Sequence, residues 1–302
     1  MKYYKNEGGS FRKVTNTEDV FLDQHWEPQG LQPDWGLTAK FQDLNDDGLP
    51  DLYVCNDFFP KDRIWINQGD GTFRAKESPA IRSMSFSAMA VDFADINRDD
   101  QLDMFVTEML SPVHERRLRQ MGSDDPTPNR TDEIQSIPQY NRNSMYLKRE
   151  DETYAEISYL TNTEATEWSW ATRFMDINLD GYEDLIINTG YTYDILDIDT
   201  QADMIREGRN MDENYDVLVD RAPSLDLANK FLMNNGDLSF QDQSSDWGFS
   251  EKDVSHGLAT ADLDNDGDLD FASNRLNGTA AVFRIRSTSH ELLFVSMVRP
   301  QM

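Results

Sequence analysis

Asp262-Leu263-Asp264-Asn265-Asp266-Gly267-Asp268-Leu269-Asp270 places five carboxylates in nine residues, with glycine at the sixth position. In a tight loop of this kind the side-chain oxygens at positions one, three and five converge on one point. A backbone carbonyl at seven and a carboxylate at nine complete the shell, and glycine permits the sharp bend. Such an oxygen set suits Ca²⁺, a hard cation that takes six to eight oxygen ligands. Carboxylates held this close repel one another unless a cation sits between them.

The pattern occurs three more times: Asp43-Leu44-Asn45-Asp46-Asp47-Gly48-Leu49-Pro50-Asp51, Asp95-Ile96-Asn97-Arg98-Asp99-Asp100-Gln101-Leu102-Asp103 and Asp176-Ile177-Asn178-Leu179-Asp180-Gly181-Tyr182-Glu183-Asp184. The expected calcium ligands are Asp43, Asn45, Asp47, Leu49 and Asp51 in the first loop. They are Asp95, Asn97, Asp99, Gln101 and Asp103 in the second, and Asp176, Asn178, Asp180, Tyr182 and Asp184 in the third. In the fourth they are Asp262, Asp264, Asp266, Asp268 and Asp270. Position seven contributes its carbonyl. The second copy is the weakest, because Asp100 stands where the others have glycine. An EF-hand would need an acidic residue at position twelve and flanking helices. Position twelve is Val54, Val106, Ile187 or Ser273, and the flanks are strand-like, so that reading fails. One such segment could be a mere solvated turn; four at equivalent places in a repeat argue otherwise.

Outward from each loop the flanks repeat as well. Upstream lie Gly36 to Phe41, Ser87 to Phe93, Trp170 to Met175 and Gly257 to Ala261. Downstream lie the apolar runs Leu52-Tyr53-Val54, Met104-Phe105-Val106, Leu185-Ile186-Ile187 and Phe271-Ala272. A second element follows, an apolar strand, an Asn-x-Gly turn and an aromatic, clearest in Ile64 to Phe73 and Phe231 to Phe240. Met145 to Tyr154 is a degenerate version, and Tyr3 to Phe11 begins the chain with another. Such turns between apolar runs are hairpin signals. Four antiparallel strands per repeat predict an all-β propeller, with the aspartate loops and Asn-x-Gly turns on one face. Two long connections, 108–142 and 190–229, then emerge on the other face. In the first, His114 to Arg119 could form a helical turn.

The chain of 302 residues carries 56 acidic against 28 basic residues, a formal net charge of -28. The charge is organised, since the four loops hold 17 acidic residues. A polyanion is a poor partner for nucleic acid or an anionic membrane. Apolar residues at 38% and aromatics at 11% fit a packed β-rich core. The single cysteine, Cys55, reads as a small buried residue. No apolar run is long enough for a transmembrane span, and Met1 to Asn6 begins no signal peptide.

These motifs resemble FG-GAP/VCBS repeat proteins, which include integrin-α-like propellers. More narrowly they resemble the repeat region of ASPIC/UnbV-type proteins, relatives of cartilage acidic protein. Thr166-Glu167-Trp168-Ser169-Trp170-Ala171 and Asn188-Thr189-Gly190-Tyr191 carry that narrower likeness, as does the tail from Asn277 to Arg284 and Leu292 to Val295. The resemblance implies calcium as the cofactor and a seven-bladed propeller. The chain would supply about four and a half of the blades and would be a fragment whose signal peptide lies elsewhere. Residues 1–285 are expected to form the repeats. Residues 286–302 are the start of a following ASPIC/UnbV-like domain or a truncated tail.

Functionally the expectation is a calcium-binding module of an exported, cell-surface or periplasmic protein, not an enzyme. It would bind protein or carbohydrate through the face opposite the loops. The alternatives are a polysaccharide-acting propeller enzyme and a structural spacer. His25, His114, His256 and His290 include no pair with catalytic spacing, and His256 reads as structural. Trp26, Trp35, Trp168 and Trp170 could stack on sugars, but their places near strand starts favour core packing. Asn129-Arg130-Thr131 and Asn277-Gly278-Thr279 are glycosylation sequons in a eukaryotic host only.

Overall fold

Strands form where the sequence alternates or runs apolar, and most of them associate into four sheets of four or five strands, alongside several two-stranded pieces. The computed structural model describes residues 3–285 except 15–18, 30–33, 59, 77–79, 121–136, 211–212 and 250, together with the strand pieces 287–288, 291–292 and 295–296. The first sheet contains Gly36–Gln42, Asp51–Asn56, Arg63–Asn67 and Phe73–Ala75, each antiparallel to the next. A short fifth strand, Phe21–Leu22, runs parallel to Phe73–Ala75. That addition to the expected four has a packing reason, since Phe21 stacks on Phe73 with ring centroids 5.6 Å apart. The second sheet contains Val91–Ala94, Asp103–Val106, Ser144–Lys148 and Tyr154–Glu156. The third contains Ser169–Met175, Asp184–Thr189, Lys230–Asn234 and Phe240–Asp242. The fourth contains Ser255–Ala261, Asp270–Arg275, Ala281–Arg284 and Val295–Ser296. Tyr3–Asn6 and Phe11–Val14 form a separate hairpin ahead of the first sheet.

The four sheets are blades of a propeller-like arrangement. Their first strands pack side by side in chain order and together line a central cavity. Strand period two then builds the interior. Along Asp103–Val106, Met104 and Val106 point into the layer between blades one and two, with Tyr53, Phe93 and Tyr146. Phe105 points into the layer between blades two and three, with Leu185, Ile187 and Leu232. Ile186 faces the next layer, between blades three and four, with Phe231 and Phe271. These second strands are buried on both sides, so they read as continuous apolar runs rather than alternations.

The apolar second position of each aspartate loop belongs to the same layers. Leu44, Ile96 and Ile177 are buried between their own blade and the following one. Leu263, the fourth equivalent, is 51% exposed. At the opposite end of the arc, Phe41 on the innermost strand of blade one is 53% exposed.

Two of the Asn-x-Gly turns lie against the aspartate loops of their own blades. Asn67 Nδ2 donates to Pro50 O at 3.0 Å and Asn234 Nδ2 to Glu183 O at 3.2 Å, joining the Asn-x-Gly turns of blades one and three to the aspartate loops of the same blades. The long connections meet one another. His114–Arg119 is a helix, and its Arg119 reaches Asp197 at 2.7 Å while Arg116 reaches Asp194 at 3.3 Å and also Glu167. The second connection contains the helices Ile198–Arg206 and Tyr215–Arg221 and the strand pair Tyr191–Tyr193 with Ser224–Leu225.

Two details correct the sequence reading. Trp26 and Trp35, expected in the core, are 55% and 63% exposed. Trp26 instead lies under the Arg74 guanidinium and Trp35 meets Phe58 edge to face, because both fall between the strands Phe21–Leu22 and Gly36–Gln42 rather than on one. Trp168 and Trp170 do pack inward, stacked with Tyr191 beneath the second connection. Cys55 is fully buried, and burial pushes its thiol pKa up. The sequon at Asn129 lies outside the described residues, as does His290.

Candidate metal centres

Each aspartate loop is tied by its own side chains. The first-position carboxylate accepts from the amides at positions five and six: Asp43 from Asp47 N and Gly48 N at 3.2 and 2.7 Å, Asp95 from Asp99 N and Asp100 N at 3.1 and 2.8 Å, Asp176 from Asp180 N and Gly181 N at 3.1 and 2.8 Å. The fifth-position carboxylate accepts from the amide at seven, as Asp47 does from Leu49 N, Asp99 from Gln101 N and Asp180 from Tyr182 N. The bend requires positive φ at two places. Position four has it without glycine, at Asp46, Arg98, Leu179 and Asn265. Position six has it at Gly48, Gly181 and Gly267, and at Asp100 with φ 64°. Asp100 thus follows the same path as the glycines, in the left-handed region that aspartate tolerates better than most residues.

The ninth position does something the loop alone does not reveal. Asp51, Asp103, Asp184 and Asp270 are buried, and each bridges two backbone amides. One belongs to position two of its loop: Leu44 N at 3.0 Å, Ile96 N at 3.1 Å, Ile177 N at 3.2 Å and Leu263 N at 3.1 Å. The other lies on or just after the blade's third strand: Asn67, Lys148, Asn234 and Ile285, at 2.8, 2.8, 2.8 and 2.9 Å. This aspartate therefore pins the loop to the sheet. Burial pushes the pKa of Asp103 and of Asp184 up to about 7, against the amides that lower it, with the loop's other aspartates adding to the rise.

The side chains present fit a hard cation. Every side-chain donor expected at positions one, three, five and nine is an oxygen. Asn97 Oδ1 in the second loop is buried without a hydrogen-bond partner. In loops one and three the corresponding Asn45 and Asn178 oxygens accept from the position-five amides, at 3.3 and 3.0 Å. In the fourth loop, carboxylate oxygens of Asp262, Asp264 and Asp266 lie within 4.8 Å of one another and could hold a metal ion. Asp268 is pushed up to about 6, by burial first and by the crowding of Asp266, Asp270 and Asp264.

Basic side chains already surround these loops, a feature with no signal in the nine-residue pattern. Arg284 pairs with Asp264 and, at 3.0 Å, with Asp266. Lys148 Nζ reaches Asp46 at 2.9 Å from the neighbouring blade. Arg98 of loop two donates to Gly181 O of loop three at 2.7 Å and covers the Tyr182 ring at 4.4 Å. Loop two thus braces loop three, and a strand of blade two braces loop one.

The described histidines form no acid–base set with one another. His256 packs against Trp170 with centroids 4.4 Å apart and the rings tilted by 42°, and burial lowers its pKa. His114 begins a surface helix and His25 lies in an exposed turn. Both tryptophans near the third blade have structural contacts, with Trp170 Nε1 donating to Gly190 O at 2.8 Å.

Residues 43–106, which span the first two aspartate loops, match the family model of the FG-GAP-like repeat. No curated protein sequence matches the chain. Among solved structures, the chain is similar to an Agrocybe aegerita lectin described as recognising non-reducing terminal N-acetylglucosamine, with a TM-score of 0.43 and 13% identity. That likeness covers 98% of this chain and 59% of the lectin chain, so the chain spans less than two thirds of the lectin's length. A likeness this distant transfers no ligand.

Proposed function

We propose that the protein is a calcium-stabilised propeller module of an exported or cell-surface protein, binding protein or carbohydrate through the face that carries the long connections. The observation that supports the calcium reading is the repetition of one loop path in four blades, with oxygen-bearing side chains at equivalent sequence positions and three carboxylates drawn together in the fourth loop. The carboxyl-rich shell supports Ca²⁺ over softer metals, which favour sulfur and nitrogen ligands. Extracellular calcium modules bind at roughly 0.1–1 mM. At about 0.1 mM affinity and about 1 mM calcium each site contributes roughly 1.4 kcal/mol. Four such sites are comparable with the stability of a whole domain, roughly 5–15 kcal/mol. That magnitude favours a structural ion and a setting where calcium is abundant. The narrower ASPIC/UnbV-type reading, with seven blades, rests on the sequence resemblance of Thr166 to Ala171 and Asn188 to Tyr191.

Thermal melts with calcium and with chelator test this. Calcium should raise Tm by several degrees, and Asp180→Ala should shrink the increment by about a quarter if the four sites contribute equally. Coincident curves in calcium and chelator for the unmodified chain would sink the proposal. For the binding role, the chain with residues 195–225 deleted should lose ligands found in a glycan and extracellular-protein screen while keeping its calcium-dependent melt.

A further inference from the structure

The innermost strands carry one residue in each blade three places before the loop's first aspartate: Lys40, Asp92, Arg173 and Ala259. Asp92 is buried and pairs with both neighbours, with Lys40 and with Arg173 at 3.2 Å. Its other oxygen accepts from Phe174 N at 2.8 Å. Two cations therefore share one carboxylate in a chain whose net charge is -28. They border the central cavity of ≈ 450 Å³, whose wall also includes Leu37, Met89, Trp170 and His256. A mostly apolar wall with a few convergent polar groups, at a volume within roughly 300–1,000 Å³, is the usual form of a small-molecule site. Burial and the adjacent Arg173 lower the Lys40 pKa to about 8, a penalty that a second anion beside the pair would relieve. His256 adds no positive charge at neutral pH, because burial lowers its pKa.

We propose that this cavity binds a small ring-bearing carboxylate, the acid received between Lys40 and Arg173 and the ring held against Trp170 and His256. Leu37, Trp170 and His256 stand at the starts of the inner strands and Met89 just before one, at the ends away from the aspartate loops. Met89 and Trp170 pack with Tyr191 and Leu225 of the second long connection. The inference thus deepens the binding-module reading by naming a ligand class for that side of the molecule. An acidic sugar and an aromatic acid share this chemistry, and the experiment separates them.

The test is calorimetric titration of the full chain, in calcium, with galacturonate and with phenylacetate, and with neutral galactose as the control. At least one acid should bind at one to one, about tenfold or more tighter than galactose. Binding by galacturonate alone identifies an acidic sugar as the ligand class, and binding by phenylacetate alone an aromatic acid. Lys40→Met and Arg173→Met should each weaken that binding about tenfold, the effect of losing one charge-assisted hydrogen bond. Asp92→Asn keeps an oxygen for Phe174 N and removes the competing charge, so it should tighten binding. A purely structural ion network would give no such gain. Failure of both acids to saturate by about 10 mM, or binding unchanged in Lys40→Met and Arg173→Met, overturns the proposal. The calcium reading fails separately, through unchanged melts with chelator, which leaves titration of the cavity as an independent result.

Discussion

At the residue scale, Arg284 distinguishes the fourth loop from the other three. Its guanidinium pairs with Asp264 and Asp266, the third and fifth positions, and so places a fixed positive charge among the groups expected to receive calcium. Like charges at such separations cost on the order of 1 kcal/mol or more even near the surface. Arg284→Gln should therefore tighten calcium binding at this loop by about tenfold, read as a lower calcium concentration for half-maximal stabilisation. The gain should vanish in the double variant with Asp266→Ala, and a gain that persists there would place the effect elsewhere. Nothing in the nine-residue pattern announced Arg284, because it lies on the third strand and only blade folding brings it to the loop. The ninth aspartate was half legible for the same reason. Asp184 is visible in sequence as a loop carboxylate, whereas its bond to Asn234 N depends on a strand fifty residues away.

At the element scale, the blade was readable because its units repeat and each strand has a strong apolar signature. Leu185-Ile186-Ile187 reads as a strand and is one, and the structure buries it on both faces. The helices of the second connection were not readable. Ile198–Arg206 buries only Met204, and Tyr215–Arg221 only Leu218, so neither carries an apolar stripe long enough to show a helical period. Equivalence in sequence also hid a difference in packing. Ile177 and Leu263 occupy the same loop position, but Ile177 is fully buried between blades three and four and Leu263 is half exposed. Ile177→Ala should therefore cost roughly 2–5 kcal/mol, the range for emptying a packed core site. Leu263→Ala should stay within about 0.5 kcal/mol. Denaturant melts of the two variants check this, and equal losses would mean that Leu263 is covered in solution.

At the scale of the whole molecule, acidity is spread over the loops and surface, but a few carboxyls are enclosed. Asp62 accepts from Tyr53 Oη and Asn56 N at 2.7 and 2.8 Å, and burial still pushes its pKa up to about 7. Glu108 accepts from Met109 N, and burial takes it to about 8 against the backbone amides of Met109 and Ser87 that lower it, with Asp57 adding to the rise. Both values lie above those of an unfolded chain, near 3.8 and 4.5. The folded protein therefore binds more protons than the unfolded one across this interval. The resulting stability is fully present below about pH 4 and is lost as pH rises through about 7 to 8. Repulsion among the excess acidic groups acts in the same direction. In chelator, so that calcium does not contribute, stability should fall between pH 5 and 8 with a slope on the order of 1 kcal/mol per pH unit for each such group. Glu108→Gln removes one titrating proton while retaining an amide oxygen for Met109 N, so its curve should be the flatter of the two, most clearly between pH 6 and 8. Parallel curves for the variant and the unmodified chain would show that Glu108 is ionised in the folded protein throughout.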